Sequence, residues 1–335
     1  MRNAVVRFFG LALLLFAFLP ARRAWGWIDT GHKLVAMVAW DELTPAARAR
    51  VIELLKQHPR YEKDLLAGLP AGADEQAAAR HAFATAATWP DMVKSQGHPM
   101  HFAANHPEWH YIDIPYRPEG GADPSAQPKP PGEANKPGPH DIVEALAKNM
   151  DDLRNASTPA ADKAVALCWV LHLGWDIHQP LHTITLISPQ FPDGDKGGNA
   201  FLVLRDPPYL NTLMNLHLIW DSLPGNYKSD APIGYLAAGL RNDANLSRER
   251  MKDVLAVKDF AAWARESHAL AVEYAYLNGT LHGAVAQRGG QAAPNEQVPG
   301  LPPGYLQNAE RIAFRQIALA GHRIADLLNA TFDSK

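Results

Sequence analysis

The sequence predicts a mainly α-helical fold, in a single domain with a few short strands. Most of the chain consists of segments whose apolar residues recur at helical spacing, and several of these segments open with a capping residue. The chain has 335 residues, 47% of them apolar, which is enough for a sizeable core. Residues that could bind a metal occur on both sides of the longest polar loop, so we expect one domain rather than two.

Residues 1–26 differ from the rest and predict a secretory signal peptide. Two arginines give a charged start, an apolar run of about 13 residues covers Phe8–Pro20, and the segment ends in a small residue, Gly26. The run is shorter than the roughly 20 residues that a membrane-spanning helix needs. We therefore expect a secreted or periplasmic protein of residues 27–335, with no transmembrane segment after cleavage. An uncleaved membrane anchor is the alternative.

Helix-start signals divide the remaining chain into helices. Thr44-Pro45 and Thr158-Pro159 place a capping residue before a proline at the first helical position, and Asp141 opens a further segment. The predicted helices are residues 32–43, 46–55, 75–88, 141–153, 160–178, 208–222, 258–278 and 307–330.

Strands and loops are predicted from composition. Trp109–Ile114 and Phe201–Leu204 are short runs of aromatic and aliphatic residues, which predicts extended structure. Residues 115–139 and 287–304 are rich in proline, glycine and polar residues, which predicts loops. We find no internal repeat.

The charge balance excludes a protein that binds nucleic acid through lysine and arginine alone. Removing residues 1–26 removes four arginines and no acidic residue, which leaves 28 basic against 35 acidic side chains and a net charge of −7. A simple electrostatic binder of polyanions carries the opposite sign. A polyanionic substrate would therefore need another attractant, such as bound metal. Cys168 is the only cysteine, so no internal disulfide can form, and its apolar neighbours predict a buried side chain.

Two histidine–aspartate pairs have the spacing of neighbours on one helical face. His172 and Asp176 are four residues apart in one predicted helix, and His217 and Asp221 repeat the spacing in another. A Gln-Pro pair breaks the first helix and can turn His182 back toward the same centre. One such pair is most often a helix-stabilising contact, but buried histidines and aspartates are costly unless paired or bound to metal. Imidazole and carboxylate are ligands that zinc accepts.

Further candidates lie upstream, and each has a structural alternative. Asp91 follows a Trp-Pro pair and could cap a helix, while His110 could be a core histidine. Trp27, five residues before His32, could be a packing aromatic. None of these residues, taken alone, distinguishes a ligand from a structural side chain.

Taken in order, these residues resemble the S1/P1 nuclease family, the trinuclear-zinc, single-strand-specific nucleases of fungi, plants and bacteria. The matching motifs span about 195 residues, and their combined order and spacing are highly specific. The motifs are Trp27 with His32, Trp89-Pro90-Asp91, His110-Tyr111-Ile112-Asp113, His172 with Asp176 and Gln179-Pro180-Leu181-His182, Gly197-Gly198-Asn199, and Asn215-Leu216-His217 with Trp220-Asp221. The resemblance implies the helical fold that these nucleases share with the zinc phospholipases C.

The resemblance also implies three zinc ions held by nine residues. One ion takes Asp91, His110, His172 and Asp176; a second takes His182, His217 and Asp221; the third takes His32, Asp176 and the amine and carbonyl of Trp27. Asp176 would then bridge two ions. Trp27 could serve only as the mature N-terminal residue, which requires cleavage after Gly26.

Five more residues receive roles from the resemblance. Asp113 would orient or deprotonate the attacking water, and Lys94 occupies a position where the family usually has arginine. Lysine keeps the charge but lacks the planar bidentate fork, which weakens the expected partnership with Asp113. Tyr111 stands where the family stacks an aromatic ring on a base, and Gly198 with Asn199 would contact substrate. The structural alternatives are a solvated lysine, an inward-packed tyrosine and a plain turn.

The activity implied by the resemblance is zinc-dependent hydrolysis of single-stranded DNA and RNA to 5′-mononucleotides, by a monomer that degrades nucleic acid. A preference for DNA or RNA, and any 3′-nucleotidase activity, stay open. One alternative is a zinc phospholipase C, but that pattern has a longer gap between its first tryptophan and histidine, and glutamate as its last acidic ligand. The other is a non-catalytic zinc-binding protein, although an acid such as Asp113 beside three ions favours catalysis.

Overall fold

The computed structural model is mainly helical, as the sequence predicts, with a few short strands. It describes residues 29–118, 121–122, 138–205, 212–287, 289–294 and 296–333. The predicted signal peptide and Trp27 lie outside these residues, as do parts of both predicted loops. Among the described helices, none is long and apolar enough to cross a membrane.

Helices make up most of the described chain. They are α1 (Asp29–Glu42), α2 (Pro45–Leu55), α3 (Glu75–Ala86), α4 (Trp89–Met92), α5 (His101–Ala104), α6 (Ile142–Arg154), α7 (Ala160–Asp176), α8 (Leu216–Ser222), α9 (Asp230–Asn242), α10 (Lys252–Leu255), α11 (Phe260–Leu270) and α12 (Tyr305–Phe332). Short 3₁₀ turns cover Pro107–His110, Pro180–Thr183, Ala244–Leu246 and Leu277–Gly279, and π-helical turns cover Tyr61–Leu65 and Ala271–Ala275.

Side-chain caps account for two of the predicted helix starts. Thr44 caps α2 by accepting the backbone N–H of Ala47 at 3.1 Å. Asp141 caps α6 by accepting two backbone N–H groups of the first turn. The predicted cap at Thr158 is wrong, because α7 begins after Pro159 without any side-chain cap.

The predicted helix over residues 208–222 is too long at its N-terminal end. Asn215 accepts the backbone N–H of Leu218 at 2.7 Å and thereby caps α8, which begins only at Leu216. The three residues before α8 form a strand instead. Residues 206–211 lie outside the described part of the chain.

The predicted strand at Trp109–Ile114 is wrong. Pro107 occupies the first position of a 3₁₀ turn that ends at His110, because its fixed backbone angle suits the start of a helical turn. The extended residues after the turn join no sheet until Pro115.

The helix α9 was not predicted, because its sequence contains a proline and two glycines. Pro232 lies in the first helical turn, where the backbone N–H groups have no intrahelical partner and proline is therefore tolerated. Ile233 and Ala237 are buried, and α9 packs against α1.

The strands form two small three-stranded sheets. They are β1 (Pro115–Arg117), β2 (Gly121–Ala122), β3 (Thr185–Leu186), β4 (Phe201–Leu204), β5 (Leu213–Asn215) and β6 (Ala284–Val285). The strand orders are β2-β1-β3 and β5-β4-β6, with β1 parallel to β3 and β4 antiparallel to both neighbours. The predicted strand β4 is confirmed.

Three helices form the centre of the core, and glycine allows them to approach closely. A Cβ atom on Gly174 of α7 would lie 2.5 Å from Ile324 of α12, and one on Gly321 of α12 would lie 2.4 Å from Val38 of α1. A larger residue at either position would force the helices apart. The side chain of Cys168, in α7, is buried as predicted. This packing brings together α1 and α7, two of the helices that carry predicted metal ligands.

Candidate metal centre

The predicted ligands gather at one cavity of about 250 Å³. Its lining consists of Asp91, Lys94, His110, His172, Asp176, His182, Asn199, Asn215, His217, Leu218 and Asp221. Eight predicted ligands lie in the described part of the chain, and seven of them line this cavity. The eighth, His32, is fully buried, and its ring stacks on that of His172 with centroids 3.9 Å apart.

The end of α7 and the turn after it supply three of these residues. His172 and Asp176 share one helical face, with His172 Nε2 3.1 Å from Asp176 Oδ2. Gln179 Oε1 then accepts the backbone N–H of Leu181, which starts the 3₁₀ turn. The turn brings His182 Nδ1 to 3.8 Å from Asp176 Oδ1, so the predicted reversal of the chain is observed.

Upstream segments bring Asp91 and His110 to the same place. Asp91 lies in α4 beside Trp89, a fully buried side chain whose indole N–H donates to Asp64 Oδ2 at 3.1 Å. The carbonyl of His110 accepts the Nδ1–H of His182 at 2.7 Å, which ties the two turns together.

The helix α8 supplies the last two ligands. His217 Nε2 lies 3.4 Å from Asp221 Oδ2, on the shared face that the spacing predicts. The other oxygen of Asp221 accepts a hydrogen bond from Gln179 Nε2 at 2.7 Å and lies 3.7 Å from His182 Nε2. His217 and Asp221 of α8 therefore lie next to His182, which belongs to the turn after α7.

The carboxylate of Asp176 lies between His110 and His32, with one oxygen toward each. Its Oδ2 atom is 3.0 Å from His110 Nδ1, whereas its Oδ1 atom is 3.6 Å from His32 Nε2. Burial alone would raise the pKa of Asp176, but the surrounding histidines, His172 and His182 foremost, hold it well below its usual value. The carboxylate is therefore charged and can neutralise two neighbouring cations.

The donor atoms form three groups whose members lie within 4.8 Å of one another. The groups are His32 with His172 and Asp176, Asp91 with His110 and His172, and His182 with His217 and Asp221. Two of them fall within the implied first and second zinc sets. The group around His32 contains two residues of the implied third set, whose remaining member, Trp27, lies outside the described residues.

Backbone carbonyls fix the orientation of three rings. The Nδ1–H groups of His172 and His217 donate to the carbonyls of Ala87 and Gly197, at 2.8 and 2.7 Å, and that of His182 donates to His110 as described. In a neutral ring, each bond keeps the proton on Nδ1 and leaves Nε2 available to a metal, which is the arrangement that metal-binding histidines normally have.

Buried polar atoms without hydrogen bonds show that a cation fits here. Nε2 of His32 and Oδ2 of Asp91 are buried without a hydrogen-bond partner, although they lie only 3.8 Å apart. Such atoms are costly to bury in any other way. A set of imidazole nitrogens and carboxylate oxygens suits zinc in particular. The residues therefore fit the metal that the sequence implies.

The pKa values of the histidines show which rings can bind a cation without first losing a proton. Burial lowers the pKa of His32 and of His110 to about 3, so both rings are neutral at pH 7 and can donate a lone pair. For His182, burial opposes protonation, but Asp176 and Asp221 outweigh it and raise the pKa to about 9. This ring must therefore lose a proton when a metal binds at neutral pH.

Lys94 and Asn199 line the cavity, as their predicted roles require. Lys94 Nζ lies 2.5 Å from Asp91 Oδ1, so its ion pair is with a predicted ligand. The cation that acts on the Asp113 carboxyl is Lys196 instead. Asn199 donates from Nδ2 to the carbonyl of Lys196 at 2.9 Å.

Tyr111, Asp113 and Gly198 lie outside the cavity lining. Asp113 is half-buried, and burial together with the charge of Asp195 raises its pKa to about 6. Tyr111 is 39% exposed, so the structural alternative of an inward-packed ring is wrong. Gly198 has a left-handed φ of 81°, and a Cβ atom there would lie 3.1 Å from a backbone nitrogen of α8.

Sequence reasoning gave no role at the site to Gln179 or Asn215. The sequence indicates Gln179 as part of a helix break and of a family motif, and its side chain holds both Asp221 and the following turn. Asn215 belongs to another of the motifs, and it both caps α8 and lines the cavity. Its place two residues before His217 was the available signal, because asparagine is a preferred cap.

Comparison with known proteins gives one consistent family. A family model described as S1/P1 Nuclease matches residues 27–333. Endonuclease 4 of Arabidopsis thaliana is 26% identical over 364 aligned positions, which cover 100% of this chain and 98% of that protein. Endonuclease 5 of the same plant is 30% identical over 51% of this chain and 52% of its own length. Nuclease S1 of Aspergillus oryzae is 26% identical over 69% of this chain and 65% of its own length.

Proposed function

The chain belongs to the S1/P1 nuclease family, and on that basis we propose that it is a zinc-dependent endonuclease that hydrolyses single-stranded DNA and RNA to 5′-mononucleotides. The coarser part, hydrolysis of phosphodiester bonds in nucleic acid, follows from family membership. The observation that carries the finer part is the convergence of three histidine–aspartate groups on one cavity. We expect the protein to act as a monomer, and 3′-nucleotidase activity would be compatible with the same site.

Three zinc ions would be held by the nine residues named from the sequence. The groups around Asp91 and Asp221 each offer several donor atoms of their own, whereas the group around His32 needs the amine and carbonyl of Trp27 to complete a set. When bound, zinc supplies Lewis-acid stabilisation of phosphoryl charge and lowers the pKa of water to roughly 7. Three divalent ions also offset the net charge of −7 that makes the protein as a whole unattractive to a polyanion.

Removal of residues 1–26 is part of the proposal, because a free α-amine at Trp27 exists only after cleavage. The family match begins at the same residue, which supports the assignment. A protein processed in this way would be secreted or periplasmic. An active preparation that still begins at Met1 would contradict this part of the proposal.

Two side chains would serve the reaction itself. Asp113 would hold the attacking water and accept its proton, and above pH 6 its carboxyl is charged and able to do so. Lys94, at the cavity wall, would bind the phosphate as a point charge once a metal ion replaces it as the partner of Asp91.

Base stacking gives a physical reason for single-strand preference. Tyr111 is partly exposed and directly follows the ligand His110, so its ring is accessible close to the metal centre. Stacking on an aromatic side chain contributes about 1–3 kcal/mol per base and tolerates any base, provided that its face is free. A duplex offers no such face. Asn199 and the tight turn at Gly198 would contact the adjoining part of the substrate.

The proposed function is tested with protein that begins at Trp27, with and without a chelator. We expect cleavage of single-stranded DNA and RNA to 5′-mononucleotides, loss of this activity on chelation, and little cleavage of a DNA duplex. Products ending in a 3′-phosphate would contradict the assignment of the leaving group. No cleavage by protein that carries three zinc ions would favour a phospholipase C, which a phosphatidylcholine substrate would reveal.

Replacing Asp113 with asparagine is expected to lower the turnover number about 10²-fold or more, because a positioned general base contributes 10²–10⁴-fold. Zinc content should stay unchanged, since Asp113 belongs to none of the three donor groups. The raised pKa means that burial disfavours the charged form, so the contribution of Asp113 to wild-type stability declines as pH rises from about 4 toward 6. The variant should therefore melt at a higher temperature than wild type at pH 7 and at a similar temperature at pH 4.

Zinc analysis, single-strand hydrolysis and thermal unfolding at the two pH values check this prediction. Exposed Asp162, changed to asparagine, is the matched control for the loss of one charge. Unchanged turnover in the Asp113 variant would contradict the role of Asp113 as the general base.

A further inference from the structure

The buried carboxylate of Asp195 and the buried phenol of Tyr276 form a hydrogen bond with each other. Neither residue lines the cavity described above. Asp195 is 0% exposed and Tyr276 is 1% exposed. The Tyr276 hydroxyl donates to Asp195 Oδ2 at 2.6 Å, and the backbone N–H of Leu186 donates to Asp195 Oδ1 at 2.8 Å. We name Asp195 and Tyr276 the anchor pair.

The anchor pair holds residues 194–199, which we name the anchored segment. The backbone N–H of Asp195 donates to the carbonyl of Leu186 at 3.0 Å, so the side chain and the main chain of Asp195 both bind the strand β3. Tyr276 belongs to a hydrophobic cluster that includes Leu186 and Phe201, and its ring lies 5.9 Å from that of Phe201 between centroids. Two sets of hydrogen bonds, one with β3 and one with Tyr276, thus hold the start of the anchored segment.

The anchored segment has an unfavourable backbone conformation, and the hydrogen bonds of the anchor pair help to maintain it. Lys196, Gly197 and Gly198 are consecutive residues with left-handed φ angles of 57°, 58° and 81°. Lys196 carries a side chain in this region, which is sterically costly. A Cβ atom on Gly197 would lie 2.3 Å from the carbonyl oxygen of Leu181, so the segment also lies tightly against the turn that carries His182. Released from its hold, this backbone would relax to another conformation.

The far end of the anchored segment contacts a predicted ligand directly. The Gly197 carbonyl accepts the Nδ1–H of His217 at 2.7 Å, and the Gly198 carbonyl accepts the backbone N–H of His217 at 3.3 Å. The first bond selects the tautomer that leaves His217 Nε2 available to a metal, and the second holds the backbone of His217. Asn199, the last residue of the segment, lines the cavity. One short stretch of chain therefore connects the anchor pair to a ligand ring and to the substrate side of the cavity.

We propose that Asp195 and Tyr276 are positioning residues that hold residues 194–199 in the conformation that orients the His217 ring for zinc binding and places Asn199 at the cavity. The chain buries a carboxylate here because that group can accept a phenol and a backbone N–H at once, which a neutral apolar residue cannot do. The inference rests on the proposed zinc site, since it assigns these residues to the site's geometry.

The test compares two tyrosine-to-phenylalanine variants from the same hydrophobic cluster. Tyr276→Phe removes the hydroxyl that holds Asp195. Tyr305→Phe is the matched control, because Tyr305 is also buried and its hydroxyl bonds Trp220 Nε1 and the Ala275 carbonyl instead of the anchored segment. Both variants lose one buried hydroxyl, so a loss of stability alone does not distinguish them.

Zinc affinity is the decisive measurement, made by titrating metal-free protein with Zn²⁺ against a competing chelating dye. In Tyr276→Phe we expect one of the three ions to bind about 10–100-fold more weakly, which is the usual cost of losing support for a ligand. Excess zinc should restore most of the single-strand hydrolysis. In Tyr305→Phe the affinity for all three ions should equal that of wild type.

Three outcomes would overturn the inference: unchanged zinc affinity in Tyr276→Phe, an equal loss in Tyr305→Phe, or a lower melting temperature as the only effect. If Tyr276→Phe does not fold, Asp195→Asn and Asp195→Ala decide. Asparagine can keep both contacts, because the Tyr276 hydroxyl can accept as well as donate. The Asp195→Asn protein should therefore bind zinc more tightly than the Asp195→Ala protein. Equal affinities in the two Asp195 variants would count against the inference. Wild-type protein that binds no zinc would instead overturn the proposed function.

Discussion

Replacing Asp176 with asparagine is expected to lower single-strand hydrolysis by at least about 10⁴-fold, because each catalytic metal contributes several kcal/mol and 1.36 kcal/mol is a factor of ten. The carboxylate faces His110 with one oxygen and His32 with the other, so its charge is shared by two proposed zinc sites. An asparagine side chain has the same shape but only one oxygen and no charge. We therefore expect the variant to lose two of the three ions rather than one.

The position of Asp176 in α7 strengthens this expectation. It is the last residue of the helix, where the backbone carbonyls already present partial negative charge. A buried carboxylate is unfavourable at that end of a helix unless a cation neutralises it. Zinc removal and Asp176→Asn should therefore have overlapping effects, and chelation should change the variant much less than wild type.

Zinc content, measured by elemental analysis, and kcat/KM on single-stranded DNA check this prediction. The control is Asp162→Asn, which makes the same chemical change in the first turn of α7 on an exposed side chain. It should leave both quantities unchanged. An Asp176→Asn protein with three ions and activity within about tenfold of wild type would overturn the central role of this residue.

Removing the metal is expected to lower the melting temperature by at least about 10 °C. A ligand present at 1,000 times its Kd stabilises the native state by about 4 kcal/mol, and each kcal/mol shifts the melting temperature of a domain of this size by about 1.5 °C. One tightly bound ion thus accounts for about 6 °C, and three together should exceed the stated shift. The proposed ligands lie between residues 27 and 221, so bound metal would connect distant parts of the chain.

Thermal unfolding followed by circular dichroism, before and after dialysis against a chelator, measures this effect. Zinc added back should restore the original melting temperature, and chelator saturated with zinc beforehand should have no effect. Equal melting temperatures with and without metal would mean that the clusters do not couple to folding.

The helical parts of the site could be predicted because they depend on local spacing. His172 with Asp176 and His217 with Asp221 face the cavity because residues four apart share one side of a helix. The turn that returns His182 follows from a proline that cannot continue the helix. None of these conclusions requires knowledge of the rest of the fold.

The convergence of distant segments could not be predicted from spacing. Asp91 and His110 reach α7 through tertiary packing, and only the family resemblance connected them with it. The run of aromatic and aliphatic residues near His110 predicted a strand, but Pro107 occupies the first position of a turn that ends at His110. The ion pair between Lys94 and Asp91 also depends on tertiary geometry.

The hydrogen bond between Asp195 and Tyr276 is the clearest example of a contact that the sequence does not predict. The sequence indicates no role for Asp195, and nothing in it pairs this residue with a tyrosine 81 residues later. Buried hydrogen bonds between distant side chains leave no periodic signal, because they depend on where two elements meet and not on either element alone.

The close crossing of α12 with α1 and α7 has a consequence for when the site assembles. The helix α12 contains the last described residues of the chain, and through Gly321 and Ile324 it packs on the two helices that carry His32, His172 and Asp176. During synthesis, a chain that has not yet produced α12 lacks the surface against which those helices align. We therefore expect these predicted ligands to come together only after α12 has been synthesised.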